Sequence, residues 1–183
     1  TGAIQSIYDK EQDREMVDKS APHQLNQLVV KDVQTGHELP LEKGAIRLGE
    51  NGPVYGSLLV STQAPGCPQV TQEIMVYEKM KRVDLANRLL RDSTPLLELY
   101  FAFPFQIQPP RFCFEGSNSV IVPMVDQFPG SNTNYYAVQH WAAVSDDRSI
   151  AVLAPIEAHL VEFGGLWPCY VSQAHHGFTS PEF

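Results

Sequence analysis

The densest chemistry in the chain lies in DQFPGSNTNYYAVQHW, residues 126–141, where acid, amide, aromatic and imidazole groups crowd together. Sugar sites use such groups: rings cover the C–H faces of a pyranose, and amides or imidazoles hydrogen-bond its hydroxyls. Tyr135, Tyr136, Gln139, His140 and Trp141 are therefore the candidate substrate-contacting residues, with Trp167 a further one. The same composition also fits buried aromatics with satisfied polar tips. FPGSNTN is loop chemistry, and YYAVQHWAAV after it reads as a strand over 135–144. One face carries Tyr136, Val138, His140, Ala142 and Val144; the other carries Tyr135, Ala137, Gln139, Trp141 and Ala143. Both faces are mostly apolar, which predicts a central strand covered on both sides.

Other constellations in the chain carry weaker signals. The histidines are His23, His37, His140, His159, His175 and His176. None stands in H-E-x-x-H or H-x-H, and none pairs with a cysteine at finger spacing, so no metal ligands are predicted. Asp126, Asp146, Asp147, Glu115 and Glu157 offer carboxylates for a glycosidase pair, but that mechanism depends on a separation that sequence does not measure. Asp146 and Asp147, between AAVS and Arg148, read as a hairpin turn. There is no G-x-S-x-G elbow and no phosphate-binding loop. FGG at 163–165 reads as a turn. Cys67, Cys113 and Cys169 form no C-x-x-C and read as small buried or half-buried thiols. No catalytic, cofactor-binding or metal residue is predicted in the chain.

The elements that position these residues follow from composition and period. The 183 residues suffice for one sizeable domain or two small ones, and 43% hydrophobic with 19% charged predicts a packed globular core. A net charge of −8 disfavours nucleic acid and anionic membranes as partners. No apolar run is long enough to cross a bilayer, no signal peptide is visible, and cytoplasmic residence is the default. Fourteen prolines and twelve glycines punctuate short apolar segments, the pattern of an all-β domain. LLELYFAFPFQI, residues 96–107, is the clearest strand: Leu97, Leu99, Phe101, Phe103, Phe105 and Ile107 alternate on one face. Pro104 marks an edge or bulge there. Further strands are expected at 55–62, 70–78, 119–124, 149–154 and 157–163. Residues 79–92 fit a helix through Met80, Val83, Ala86 and Leu90, or a strand through Val83, Leu85, Asn87 and Leu89. In 14–30, Pro22 separates a possible short helix from a following strand.

The chain opens on Thr1 and ends on GFTSPEF, which reads as a piece of something longer. TGAIQSIYDKEQDREMVD, APGCPQVTQEIMVYEKMKRVDLANRL, ELYFAFPF and DQFPGSNTNYYAVQHW resemble, in order, consecutive segments of the family 38 glycoside hydrolases, the α-mannosidases. The resemblance spans Thr1 to about Trp167. It implies a single domain over 1–183, an all-β, antiparallel β-sandwich of the supersandwich, galactose-mutarotase-like type, incomplete at both ends. It also implies a strand at 79–92, with Val83, Leu85 and Leu89 inward. In that family the catalytic centre, with a zinc on two aspartates and two histidines and an aspartate nucleophile, lies in an N-terminal α/β barrel-like domain. None of those ligands matches a position here. The resemblance thus places zinc in a domain outside this chain. It gives the chain the other domains of its parent and mannose-containing carbohydrate as partners, and no activity alone. Two other readings stand beside it: a self-standing carbohydrate-binding module, and a mutarotase-like enzyme on free sugars, the latter suggested by fold analogy only.

Overall fold

A computed structural model describes residues 2–93 and 96–164 of the chain. Its regular elements are all strands: β1 (Tyr8–Asp9), β2 (Arg14–Glu15), β3 (Gln27–Asp32), β4 (Glu38–Leu39), β5 (Ala45–Asn51), β6 (Tyr55–Ala64), β7 (Cys67–Tyr77) and β8 (Val83–Leu90) come first. β9 (Leu97–Ala102), β10 (Arg111–Gly116), β11 (Ser119–Ile121), β12 (Tyr136–Ala137), β13 (Ala142–Ser145), β14 (Ile150–Leu153) and β15 (Leu160–Val161) follow. Every pairing is antiparallel.

The main body is a sandwich. A four-stranded meander, β5-β6-β7-β8, faces a three-stranded sheet, β4-β3-β9. Period-two alternation puts Leu28 and Val30 of β3 against Ala64, Cys67 and Val70 of the meander, with Leu89, Leu97, Leu99 and Phe101 packed around them. Leu28, Val30, Cys67 and Val70 are at most 1% exposed; each such side chain contributes roughly 1.5–3 kcal/mol of burial. Pro65 and Gly66 join β6 to β7; Pro65 fixes its φ, and Gly66 takes φ 70° at little cost.

One polar feature crosses this core. Asn26 and Asn87 exchange amide hydrogen bonds: Asn26 Nδ2 donates to Asn87 Oδ1 at 3.1 Å, and Asn87 Nδ2 donates to Asn26 Oδ1 at 2.7 Å. Gln72 Nε2 donates to the Asn26 carbonyl at 3.0 Å and to Asn87 Oδ1 at 3.2 Å. The three amides thereby fix the entry of β3 over β7 and β8.

A second body is built on β11-β10-β13-β14 with the small β12-β15 pair. Phe114, Tyr136, Val138 and Ala142 form its core, with Ile121, Val161 and Phe163 beside them. Ring centroids lie 5.2 Å apart for Phe114 and Tyr136 and 5.4 Å for Tyr136 and Phe163, in tilted contacts that aromatic quadrupoles favour. Arg14 ties the second body to the N-terminal hairpin β1-β2. Its guanidinium reaches Asp146 Oδ2 at 2.8 Å, Ser149 Oγ at 3.0 Å and the Gln106 carbonyl at 2.5 Å.

Residues 79–92 hold a strand, Val83–Leu90, as the family resemblance implies, with Met80 and Leu90 more than half exposed, so the helical stripe is not the buried one. Several other expectations need correction. No helix forms in 14–21. The Asp18 carboxylate accepts the Ser20 amide and hydroxyl, a local turn that competes with helix, and Val17 bridges to Phe105. The 96–107 strand ends at Ala102, because Pro104 offers no ladder donor; Leu97, Leu99 and Phe101 face the core as expected, and Ile107 is buried beyond the break. The 119–124 and 157–163 strands shorten to Ser119–Ile121 and Leu160–Val161. The single covered strand at 135–144 does not exist. Tyr136–Ala137 pairs with β15, the ladder lapses over 138–141, and Ala142–Ser145 pairs with β10 and β14.

Candidate functional site

The lapse at 138–141 shapes the surface that carries the sequence candidates. The Val138 amide still bonds the His159 carbonyl at 2.8 Å. One residue on, the Gln139 amide turns to the Glu115 carbonyl at 3.0 Å, and the Glu115 amide donates to the Trp141 carbonyl at 3.0 Å. The chain thus changes sheets within three residues, and the change throws Gln139 and His140 outward. Gln139 Nε2 lies 3.3 Å from Ser117 Oγ, and His140 Nδ1 lies 3.0 Å from Glu115 Oε2. The His140 side chain is 79% exposed, so water screens this pair and it holds little energy. What it offers is an imidazole, a carboxylate, an amide and a hydroxyl on one small surface, able to donate and accept hydrogen bonds together. Trp141, next to His140 in the chain, is half-buried, as is Tyr135 at the start of the stretch.

Tyr136 is a correction. At 5% exposure its ring belongs to the second core, not to a ligand surface, because the even face of β12 points inward. Burial pushes its phenol pKa up, and its hydroxyl oxygen has no hydrogen-bond partner. Trp167, His175, His176 and Cys169 lie outside the described residues.

Three of the carboxylates that suggested acid–base chemistry, Asp126, Asp146 and Asp147, serve as structural acceptors. Asp146 sits in the β13-β14 turn as expected; its Oδ1 takes the Arg148 and Ser149 amides at 2.8 Å each. The Arg14 guanidinium, helped by those amides, holds its pKa far below the carboxylate range. Burial raises the Glu15 carboxyl, but bonds from Ser6, Lys19 and the Val17 and Ile7 amides outweigh it and bring it down to about 2. Asp126 accepts the Val122 amide, and Asp147 pairs with Arg111 at 2.8 Å. A general acid needs its pKa raised, the opposite direction to that of Glu15 and Asp146. Among the described residues no group of three or more His, Cys, Asp or Glu is placed to hold a metal ion. Cys67 is buried and Cys113 half-buried, both as free thiols.

Residues 1–154 match the family described as Glycosyl hydrolases family 38 C-terminal domain. The chain belongs to this family. The match takes in both sheets of the sandwich, the chain's change of sheets at 138–141 and the Asp146 turn. Comparison with characterised proteins and with solved structures gives no significant match.

The family 38 domain also carries a surface that sequence reasoning missed. Tyr55 and Tyr77 stand directly opposite on β6 and β7, with ring centroids 6.0 Å apart. They line an open cleft of about 460 Å³ with Gly52, Pro53, Gly56, Val76 and Glu78. The Tyr77 hydroxyl donates to Asp84 Oδ2 at 2.6 Å, and the Arg82 guanidinium lies 5.9 Å from the Tyr77 ring centre. Counting outward from the Pro65–Gly66 turn places Tyr55 opposite Val76. A register shift between Thr62 and Ala64 moves the partner to Tyr77, and nothing in the residue pattern announces that shift.

Proposed function

We propose that this chain is a non-catalytic β-sandwich domain of an α-mannosidase-like glycoside hydrolase, scaffolding a catalytic domain elsewhere in the parent. Gln139, His140, Trp141 and Tyr135 supply polar and aromatic contacts at the rim of that domain's sugar site. The family match over residues 1–154 carries the reading. The carboxylates add support: Asp146, Glu15, Asp126 and Asp147 are spent on turns and ion pairs. The zinc and the nucleophile of the reaction belong, on this reading, to residues outside the chain; the described residues offer no converging ligand set that fits zinc, and no step is assigned to them. The test is hydrolysis of an aryl α-mannoside by the parent and by the 183-residue chain. Activity in the parent alone is expected. Chelator-sensitive turnover by the 183-residue chain overturns the scaffold role.

A self-standing carbohydrate-binding module is the second reading, favoured by the Tyr55–Tyr77 cleft. Calorimetric titration of the chain with mannose and mannobiose separates the two. A millimolar or tighter isotherm, lost in Tyr77→Ala, selects the module.

A further inference from the structure

The inner face of the four-stranded meander is mostly apolar, interrupted by Thr62, Gln72 and Asn87, and toward one end its cover thins, leaving Leu48, Leu58 and Val76 exposed while Ile74, Val83 and Leu85 are half-buried. By register, Leu48, Leu58, Ile74 and Leu85 form one cross-strand row, and Val76 and Val83 form the next. The rows toward the β6-β7 turn lie under β3: Val60 is 3% exposed and Val70 0%. At the other end Leu48 is 66% exposed, Leu58 43% and Val76 52%. The opposite face carries Arg47, Glu73 and Arg88 along with Tyr55, Leu59, Met75 and Tyr77; the bare rows belong instead to the face of Val60 and Val70, which packs on β3 at its covered end. β3 has six residues against eleven in β7, and its cover runs out beyond Asn26.

The border between covered and bare rows is occupied by Gly2. A Cβ there would lie 2.6 Å from Val60 Cγ1 and 2.7 Å from Gln72 Oε1, so its backbone rests directly on the apolar face. Its φ of 76° suits glycine alone. The chain therefore enters the domain across this face, beside the bare rows. The family description is that of a C-terminal domain, which has polypeptide before it.

We propose that the bare half-face is the docking surface for the polypeptide N-terminal to this domain in its parent, an apolar segment laid over Leu48, Leu58 and Val76. Gly2 hands that polypeptide onto the sheet at the right place, and the surface lies on the same face as the existing core, separated from it by the Gln72–Asn87 row. A second copy fits less well. The bare side chains amount to roughly 300–500 Å² per copy, short of the ~800 Å² per partner of a stable dimer. A net charge of −8 on each copy also opposes self-association. The inference rests on the reading of this chain as one domain of a larger parent, but not on the α-mannoside activity of that parent.

The experiment uses the full-length parent and reads surfaces, not turnover. Leu58→Cys and, separately, Leu90→Cys are labelled with a maleimide, and site-specific rates are read by mass spectrometry. Leu90 is 57% exposed on the opposite face of the same sheet and serves as the control. Leu58→Cys is expected to label at least ten-fold more slowly than Leu90→Cys. A photo-crosslinker at position 58 is expected to join peptides upstream of Thr1. Val76→Cys repeats the reading with a near-isosteric change should Leu58→Cys fold poorly. Equal labelling rates overturn the proposal, as does a crosslink to a second copy or to peptides downstream of the domain. Absent mannosidase activity with a protected position 58 would refute the substrate and leave the docking surface standing.

Discussion

Replacing Tyr136 by Phe separates a core role from a ligand-contacting one. The Tyr136 oxygen exposes less than 1 Å² and has no hydrogen-bond partner. The Met124 backbone gives it only a weak interaction that falls short of a bond. A buried hydroxyl left unpaired costs about 1–3 kcal/mol, and the Met124 interaction returns part of it. The ring contacts with Phe114 and Phe163 survive the substitution. Tyr136→Phe should therefore stabilise the protein by about 1 kcal/mol. For a domain of this size that raises Tm by roughly 2–4 °C. Urea unfolding followed by circular dichroism reads the change, with the m-value unchanged if only the native core responds. Tyr136→Ala, which removes the ring as well, should cost about 3–5 kcal/mol. A loss of stability in Tyr136→Phe would refute the reasoning, because it would mean that the hydroxyl is well bonded. Loss of carbohydrate affinity in Tyr136→Phe without unfolding would refute it differently, by making the residue a ligand contact.

Two further outcomes are expected. Asn87→Leu removes the partner of both Asn26 side-chain atoms and should cost about 1–3 kcal/mol in urea unfolding; a cost below about 0.5 kcal/mol would mean that the amides are not what seats β3. Glu15, at about 2 in the folded chain against an ordinary 4.5, contributes stability that is complete above pH 4.5 and lost as pH falls toward 2, since the unfolded chain binds the proton first. Glu15→Gln should cost about 1–2 kcal/mol at pH 7, discounted for partial exposure, and should flatten the fall of the urea midpoint between pH 4.5 and 2; an unchanged acid limb would show that other carboxylates govern it.

The sandwich was readable because its strands obey local rules. Leu97, Leu99 and Phe101 alternate and face the core, and Pro104 ends their strand where a ladder donor is missing. Val83–Leu90 was not decidable from period alone. Its strand state depends on pairing with β7, where Asn87 meets Gln72, a contact made across 15 residues. Tyr136, Val138, Ala142 and Val144 of the even face of 135–144 are buried, but His140 between them is turned outward and Ala143 of the odd face is buried. The interruption was invisible because it follows from a change of partner, from His159 to Glu115, that no local pattern encodes. The polar candidates suffer the same limit. Nothing near Gln139 or His140 in sequence points to Ser117 and Glu115, more than twenty positions earlier. The Asp146 turn, by contrast, was legible, since Asp-Asp-Arg between two apolar runs is turn chemistry by itself.

The anchor formed by Arg14 has a consequence for how the chain folds as it is made. Its partners Asp146 and Ser149 are 132 and 135 residues away, and Gln12 meets Ser149 across 137. Closing a flexible loop of that length costs roughly 4 kcal/mol of chain entropy. The β5-β8 meander, whose strands adjoin in sequence, can assemble while the ribosome is still adding residues. The N-terminal hairpin can meet residues 104–106 earlier, through the Val17–Phe105 bridge and the Gln106 carbonyl, but Arg14 lacks its carboxylate until the β13-β14 turn has emerged. The Arg14 anchor is thus completed late, and a truncation before Asp146 would leave its guanidinium without a counter-charge.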